Sequence, residues 1–141
     1  MRTQEQARAA RAWATLTARF QDAAGWPDNP DAVAYLGALK STPARIHTSG
    51  LGQAVAFLRS RQSDEMARAA AKDIGTLTLE RLGREGNDLI EELRRGDIYF
   101  FMQATAEATA VVGWLTRYLE GAGVRRMDDQ AAAGEEEQAD E

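Results

Sequence analysis

Cysteine is absent from this chain of 141 residues. That excludes disulfides, iron–sulfur clusters, thiolate metal sites and a cysteine nucleophile together. Histidine occurs once, as His47, so an imidazole zinc site or a histidine acid–base pair would need partners from another chain. Proline is scarce: Pro27, Pro30 and Pro43 are the only three, and a long stretch without proline favours helix. Long hydrophobic runs are missing too. The longest reach five residues, as in Ala54–Leu58 and Ile98–Met102, whereas a membrane-spanning helix needs about 20. The N-terminus, MRTQEQARAARAW, has no apolar stretch of a secretory signal. These absences predict a cytoplasmic, single-domain protein without a membrane partner, cofactor or metal.

Acid and base are unevenly divided along the chain. The formal net charge is −5, yet Met127–Glu141 carries seven acids and no base, leaving 17 bases and 15 acids in residues 1–126. The body is thus slightly basic and compatible with an anionic partner. Arginine outnumbers lysine fifteen to two. Arginine suits bidentate phosphate contacts, but a biased genome composition produces the same excess.

What is present is helical periodicity. Thr3 and Gln6 fit a capping box, and Ala9, Ala10, Trp13, Leu16, Thr17 and Phe20 recur at three- and four-residue steps, so a helix is expected over 3–23. Asn29 with Pro30 caps a second helix that should stop near Lys40, with Thr42-Pro43 restarting a short turn or helix through Ile46. Ser49-Gly50-Leu51-Gly52 opens a third, fading near Arg61. Ser63 caps a fourth that runs to Leu82. A short helix is expected at 87–95, and Gly96-Asp97 caps a last and most apolar one at 97–120, about 36 Å long. Its stripe is Phe101, Ala104, Ala108, Val111, Leu115 and Tyr118, widened by Phe100, Val112, Trp114 and Leu119, so it should be central. The prediction is an all-α bundle of five or six helices over 1–123, with a disordered acidic tail at 124–141.

Few residues are placed for chemistry. His47 is open to a structural or an RNA-facing hydrogen bond. Ser49–Gln53 looks like a small phosphate loop at a helix start, but it has neither the spacing nor the lysine of a P-loop; its glycines equally permit close helix packing. Glu91, Glu92 and Glu107 show no spacing that implies paired-carboxylate chemistry, and Glu107 is either exposed or a buried partner for an arginine. Arg8 and Arg11 share a face of the first helix, with Arg19 further along it. Lys40, Arg45, His47, Arg59 and Arg61 gather around 40–61. Spaced cations of this kind can follow a nucleic-acid backbone, or simply form a solvated face. Trp13 and Trp114 fall on or beside apolar stripes and should be core. Trp26, between Gly25 and Pro27, is expected in a loop with a freer role.

The segment Ile46-His47-Thr48-Ser49-Gly50-Leu51-Gly52-Gln53-Ala54-Val55-Ala56-Phe57-Leu58 resembles the small α-helical subunit of the type III-B CRISPR effector, the Cmr complex. So do Arg8–Arg11–Trp13 before it and Gly113-Trp114-Leu115-Thr116-Arg117-Tyr118 after it. The resemblance covers about residues 3–122 and leaves the acidic tail unmatched. It implies a non-catalytic subunit that helps line the groove holding the guide–target duplex and braces neighbouring backbone subunits. The implied partners are the other Cmr subunits, CRISPR RNA, target RNA and neighbouring copies of the chain. RNA contact is expected at Arg8, Arg11, Arg45, His47, Arg59, Arg61 and Arg117, and core packing at Ile46, Leu51, Phe57, Leu58, Trp114 and Leu115. Self-association would use exposed helix faces and Trp26. The tail could limit non-specific RNA binding by competing for the basic face. The rival is a helical adaptor or regulatory homodimer without nucleic acid, whose arginines would pair internally with Glu and Asp.

Overall fold

The computed structural model describes residues 2–127 and, among them, contains six α-helices, one 3-10 turn and no strand. The helices are α1 (Gln4–Phe20), α2 (Pro30–Ser49), α3 (Leu51–Ser60), α4 (Glu65–Arg81), α5 (Leu89–Arg95) and α6 (Ile98–Gly121), with the 3-10 turn at Ala23–Asp28. The all-α bundle expected from periodicity is the fold. The predicted disorder of the tail from residue 128 lies outside the described residues. Val124, assigned to that tail, is buried, and its amide donates to the Leu119 carbonyl.

Short polar side chains start these helices. Thr3 and Gln6 form the expected capping box at 2.8 and 3.1 Å. Asn29 accepts from the amide of Asp31, with Pro30 opening α2, and Asp97 accepts from that of Phe100. Each such cap stabilises by about 1 kcal/mol. α4 is capped by Asp64, which accepts from the amide of Ala67, and not by Ser63; the carboxylate one residue later is the stronger partner for a helix dipole. α3 has no side-chain cap and begins at Gly50, whose φ of +88° closes α2 and opens α3 at one residue. Only glycine adopts that conformation without strain.

Two boundaries differ from expectation. α1 ends at Phe20 instead of 23, because Gln21 turns to φ +67° and its carbonyl accepts the indole N–H of Trp26 at 3.2 Å. That bond draws Trp26 under the 3-10 turn, where it is fully buried. Trp26 is therefore core and not a free loop residue. α2 does not stop near Lys40 but continues through Pro43 to Ser49. An interior proline costs about 3 kcal/mol. Leu39, Thr42 and Ile46, on both sides of it, are buried in the same stripe, and at about 1.5–3 kcal/mol for each large apolar side chain their burial outweighs the lost bond. The hydroxyls of Ser41 and Thr42 also find an acceptor, the Ala38 carbonyl.

α6 is central, packing against α1, α2 and α4. Its buried line runs Phe100, Ala104, Glu107, Ala108, Val111, Val112, Leu115 and Leu119. The stripe is rotated by one residue at its start, so Phe100 is inside and Phe101 largely outside. α4 buries Ala67, Ala70, Ala71, Ile74 and Leu77 and packs against α2, α3 and α6.

Three helices join at one carboxylate. Asp73 on α4 receives Nε and Nη2 of Arg19 from α1 at 2.9 and 2.8 Å, and the hydroxyl of Tyr35 from α2 at 2.8 Å. Burial, and then the Asp73 charge, hold the Tyr35 hydroxyl protonated well above its usual range. The folded state therefore keeps a proton that the unfolded chain releases above about pH 10. Stability is full below that pH and falls as pH rises beyond it. Tyr35→Phe should flatten this alkaline decline while losing about 1 kcal/mol at neutral pH with the hydrogen bond; paired alkaline unfolding curves check it. Trp26→Ala should lose about 3–5 kcal/mol in denaturant unfolding, whereas a free loop tryptophan would lose almost nothing.

Candidate nucleic-acid interface

The arginines of α1 pair with acids on other helices. Arg8 donates Nε and Nη2 to Glu107 at 2.7 and 2.8 Å, and Nη1 to Glu5 at 2.5 Å. Glu107 is buried on α6, so of its two expected placements it takes the one that needs an arginine. Its hydrogen bonds hold the Arg8 guanidinium charged above even the usual arginine range. Arg11 forms a second bidentate pair, with Glu80 on α4, at 2.9 and 3.0 Å.

A different group of cations surrounds the C-terminal half of α3. The guanidinium carbon of Arg45 sits 3.4 Å from the centroid of the Phe57 ring, and that of Arg61 lies 5.8 Å from it. Each such contact is worth about 0.5–2 kcal/mol, and here both keep a cation beside a half-buried ring at the surface. Arg61 also approaches Asp64 at 3.6 Å. Arg59 reaches Asp88 at 2.5 Å, and its hydrogen bond holds the Asp88 carboxyl below the usual range. Arg45 and Arg61 thus share the Phe57 ring, whereas Arg59, two residues on from Phe57, turns to Asp88.

The other candidates stand apart. His47 is exposed in the last turn of α2 and has no hydrogen-bond or acidic partner among the described residues. Arg117 is exposed on α6 and lines a groove between α2 and α6 with Leu39, Lys40, Trp114 and Glu120. There Trp114 donates its indole N–H to Glu5 at 2.8 Å, and Lys40 pairs with Glu120 at 3.1 Å. Phe57 and Trp114 are half-buried, while Ile46, Leu51, Leu58 and Leu115 are core as expected.

Two cations were not anticipated. Arg68 and Lys72, one turn apart on α4, join Arg59 around a groove of about 350 Å³ bordered by Gly86, Asn87 and Asp88. Arg68 donates to the carbonyls of Arg61 and Gln62, so its charge meets no carboxylate. Lys72 is exposed. Their i, i+4 spacing on the face opposite Ala67, Ala70 and Ala71 was visible in the sequence, but only the fold brings Arg59 beside them. The groove holds three cations and one acid, Asp88. Elsewhere, Ile98, Tyr99, Phe101 and Met102 leave an apolar surface at the start of α6. Among the described residues no group of three or more His, Asp or Glu could hold a metal, and no helix is long and apolar enough to cross a membrane.

A family model described as CRISPR-associated protein (Cas_Cmr5) matches residues 4–122. Among solved structures, the chain is similar to the crystal structure of a CRISPR-associated Cmr5 family protein from Thermus thermophilus. The two share 23% identity with a TM-score of 0.65, over 88% of this chain and 100% of the other. At that identity the likeness bears on the fold. No curated protein matches the chain.

The geometry separates arginines that hold the bundle from those that face outward. Arg8→Ala leaves Glu107 buried without its partner and should lower stability by about 3 kcal/mol. Arg11→Ala, which breaks an exposed pair, should lower it by less than about 1 kcal/mol. Urea unfolding midpoints of the two variants check the difference.

Proposed function

We propose, from the premise that this chain belongs to the CRISPR-associated Cmr5 family, that it is the small, non-catalytic subunit of a type III-B, RNA-guided Cmr effector complex in antiviral defence. The observation that carries this is the family match over residues 4–122, which spans nearly all of the helical body. In this role the subunit braces neighbouring backbone subunits and contacts the guide–target RNA through a basic face. Base pairing with the guide reads the target sequence, so the protein needs to recognise only backbone and shape.

Arg45, Arg59 and Arg61, with Arg68 and Lys72 beside them, are the cations best placed for that contact. Arg45 and Arg61 lie at Phe57 and Arg59, Arg68 and Lys72 border the Asn87 groove, with Asp64 and Asp88 as the acids beside them. His47 and Arg117 would contribute from other surfaces, and Arg8 and Arg11 would act through the bundle's own pairing. The exposed Ile98, Tyr99, Phe101 and Met102 offer a neighbouring subunit or a second copy an apolar face to cover.

The rival reading, a helical adaptor or homodimer without nucleic acid, draws support from the internal pairs of Arg8, Arg11 and Arg19. Co-expression with the other effector subunits separates the two. Co-purification in a complex that contains guide RNA is expected, and its absence would overturn the assignment. Direct contact is checked with the isolated chain and a single-stranded RNA oligonucleotide across a salt series. Binding should weaken with salt, and the Arg45/Arg59/Arg61 triple alanine should reduce the slope of log K against log salt by about two. No binding by the isolated chain would shift the role to bracing, with RNA held by neighbouring subunits.

A further inference from the structure

The groove between α3 and α4 holds more hydrogen-bond donors than the protein itself uses. Arg59 lines it from α3, Arg68 and Lys72 line it from α4, and Asn87 and Asp88 border it from the segment before α5. Asp88 is the one acid of this lining, and it is already occupied. One of its oxygens takes Nη2 of Arg59 at 2.5 Å, and the other takes the Glu91 amide at 3.1 Å as the cap of α5. Arg68 spends Nη1 on the carbonyls of Arg61 and Gln62, which orders its side chain without neutralising it. Among the described residues, Nε and Nη1 of Arg59 and Nε and Nη2 of Arg68 make no bond. Neither do the ammonium of Lys72 and the side-chain amide of Asn87.

One kind of anion fits this set. An internal RNA phosphate is a phosphodiester with one charge and two free oxygens, repeated along the strand, so the cations that follow it are spread along a track. A terminal phosphate is a phosphomonoester. It carries about two charges at pH 7 and presents three strong acceptor oxygens, so it calls for cations that converge. Arg68 and Lys72 are one helical turn apart and therefore neighbours on one face, and Arg59 meets them from the adjoining helix. Three bases against one acid leave the lining at +2. The groove, at about 350 Å³, lies at the small end of ligand-pocket sizes, and Gly75 and Gly86 add no side chain to its walls. Other cations are engaged one at a time. Arg8, Arg11, Arg19 and Lys40 each pair with a carboxylate, and Arg45 and Arg61 rest beside Phe57.

We propose that this groove is a phosphomonoester site, gripping the terminal phosphate of an RNA strand or of a free nucleotide through Arg59, Arg68 and Lys72. The proposal deepens the RNA reading of this surface and rests on it only for the strand as carrier of the phosphate.

The test uses the full-length chain at low salt. Two RNA oligonucleotides of one sequence, one ending in a 5′-phosphate and one in a 5′-hydroxyl, are compared by fluorescence anisotropy. The phosphorylated strand should bind about ten-fold tighter. Arg68→Gln and Lys72→Gln, which strand no carboxylate, should each bring that ratio close to one, and Arg45→Gln should keep it. Adenosine 5′-monophosphate is titrated in parallel by NMR, with adenosine as control. The nucleotide should move the amide signals of Arg68, Lys72 and Asn87, and adenosine should leave them in place. A preference between the strands with a silent nucleotide assigns the site to RNA ends. Nucleotide shifts without such a preference assign it to free nucleotides. Equal binding of the two strands, or none, together with a silent nucleotide overturns the proposal, and equal binding leaves the RNA reading standing. A preference that survives both Arg68→Gln and Lys72→Gln overturns it too, as do nucleotide shifts spread evenly over Arg45, Arg94 and Arg117. A nucleotide response at the groove in a chain that binds neither strand supports the site and counts against the RNA reading alone.

Discussion

Asp73 is where the arrangement of this bundle is decided. A carboxylate placed inside a helical core is costly unless its oxygens are fully occupied, and here Arg19 and Tyr35 occupy them from two other helices. The same requirement recurs at Glu107, satisfied by Arg8. Together the two acids fix α1 against α4 and α6 at two points along its length. They also determine which cations stay available. Arginines drawn inward to satisfy buried acids cannot also grip a phosphate chain, so outward-facing charge collects where no buried acid lies, around α3 and the first turns of α4.

That corner has the properties a sequence-blind contact requires. Its cations come from α2, α3 and α4, and two of them are held against the ring of Phe57. Arg45, resting on that face, is ordered without being neutralised, so it loses less rotamer freedom when an anion arrives. The apolar start of α6, with Ile98, Tyr99, Phe101 and Met102, is a surface of different chemistry.

Much of the fold was legible because its signals are local. Capping by Thr3, Asn29 and Asp97 and the apolar stripe of α6 each depend on residues within a few positions of one another. The misread points involve packing, or a backbone turn that no periodic pattern marks. Pro43 looked like a break because the burial of Leu39 and Ile46 around it belongs to tertiary packing. Trp26 looked free because its indole N–H finds an acceptor only once Gln21 has turned. The pairing of Arg8 with Glu107 and of Arg11 with Glu80 was illegible because those acids lie 99 and 69 residues away. The cation corner was half-visible: Arg45, Arg59 and Arg61 stand close in sequence, whereas Arg68 and Lys72 join them only through the packing of α3 on α4.

The aromatic side chains between α1 and α6 form a file. Trp26 meets Trp13 at 5.3 Å between ring centroids, Trp13 meets Tyr118 at 5.1 Å, and Tyr118 meets Trp114 at 5.5 Å. These are all three tryptophans of the chain. Its intrinsic fluorescence therefore comes from one seam, where a sealed indole, a partly wetted one and an indole bonded to Glu5 sit side by side. Emission colour and quenching thus act as a built-in optical gauge of whether the first helix is seated on the last, readable without a label even inside a larger assembly whose other subunits have been stripped of tryptophan.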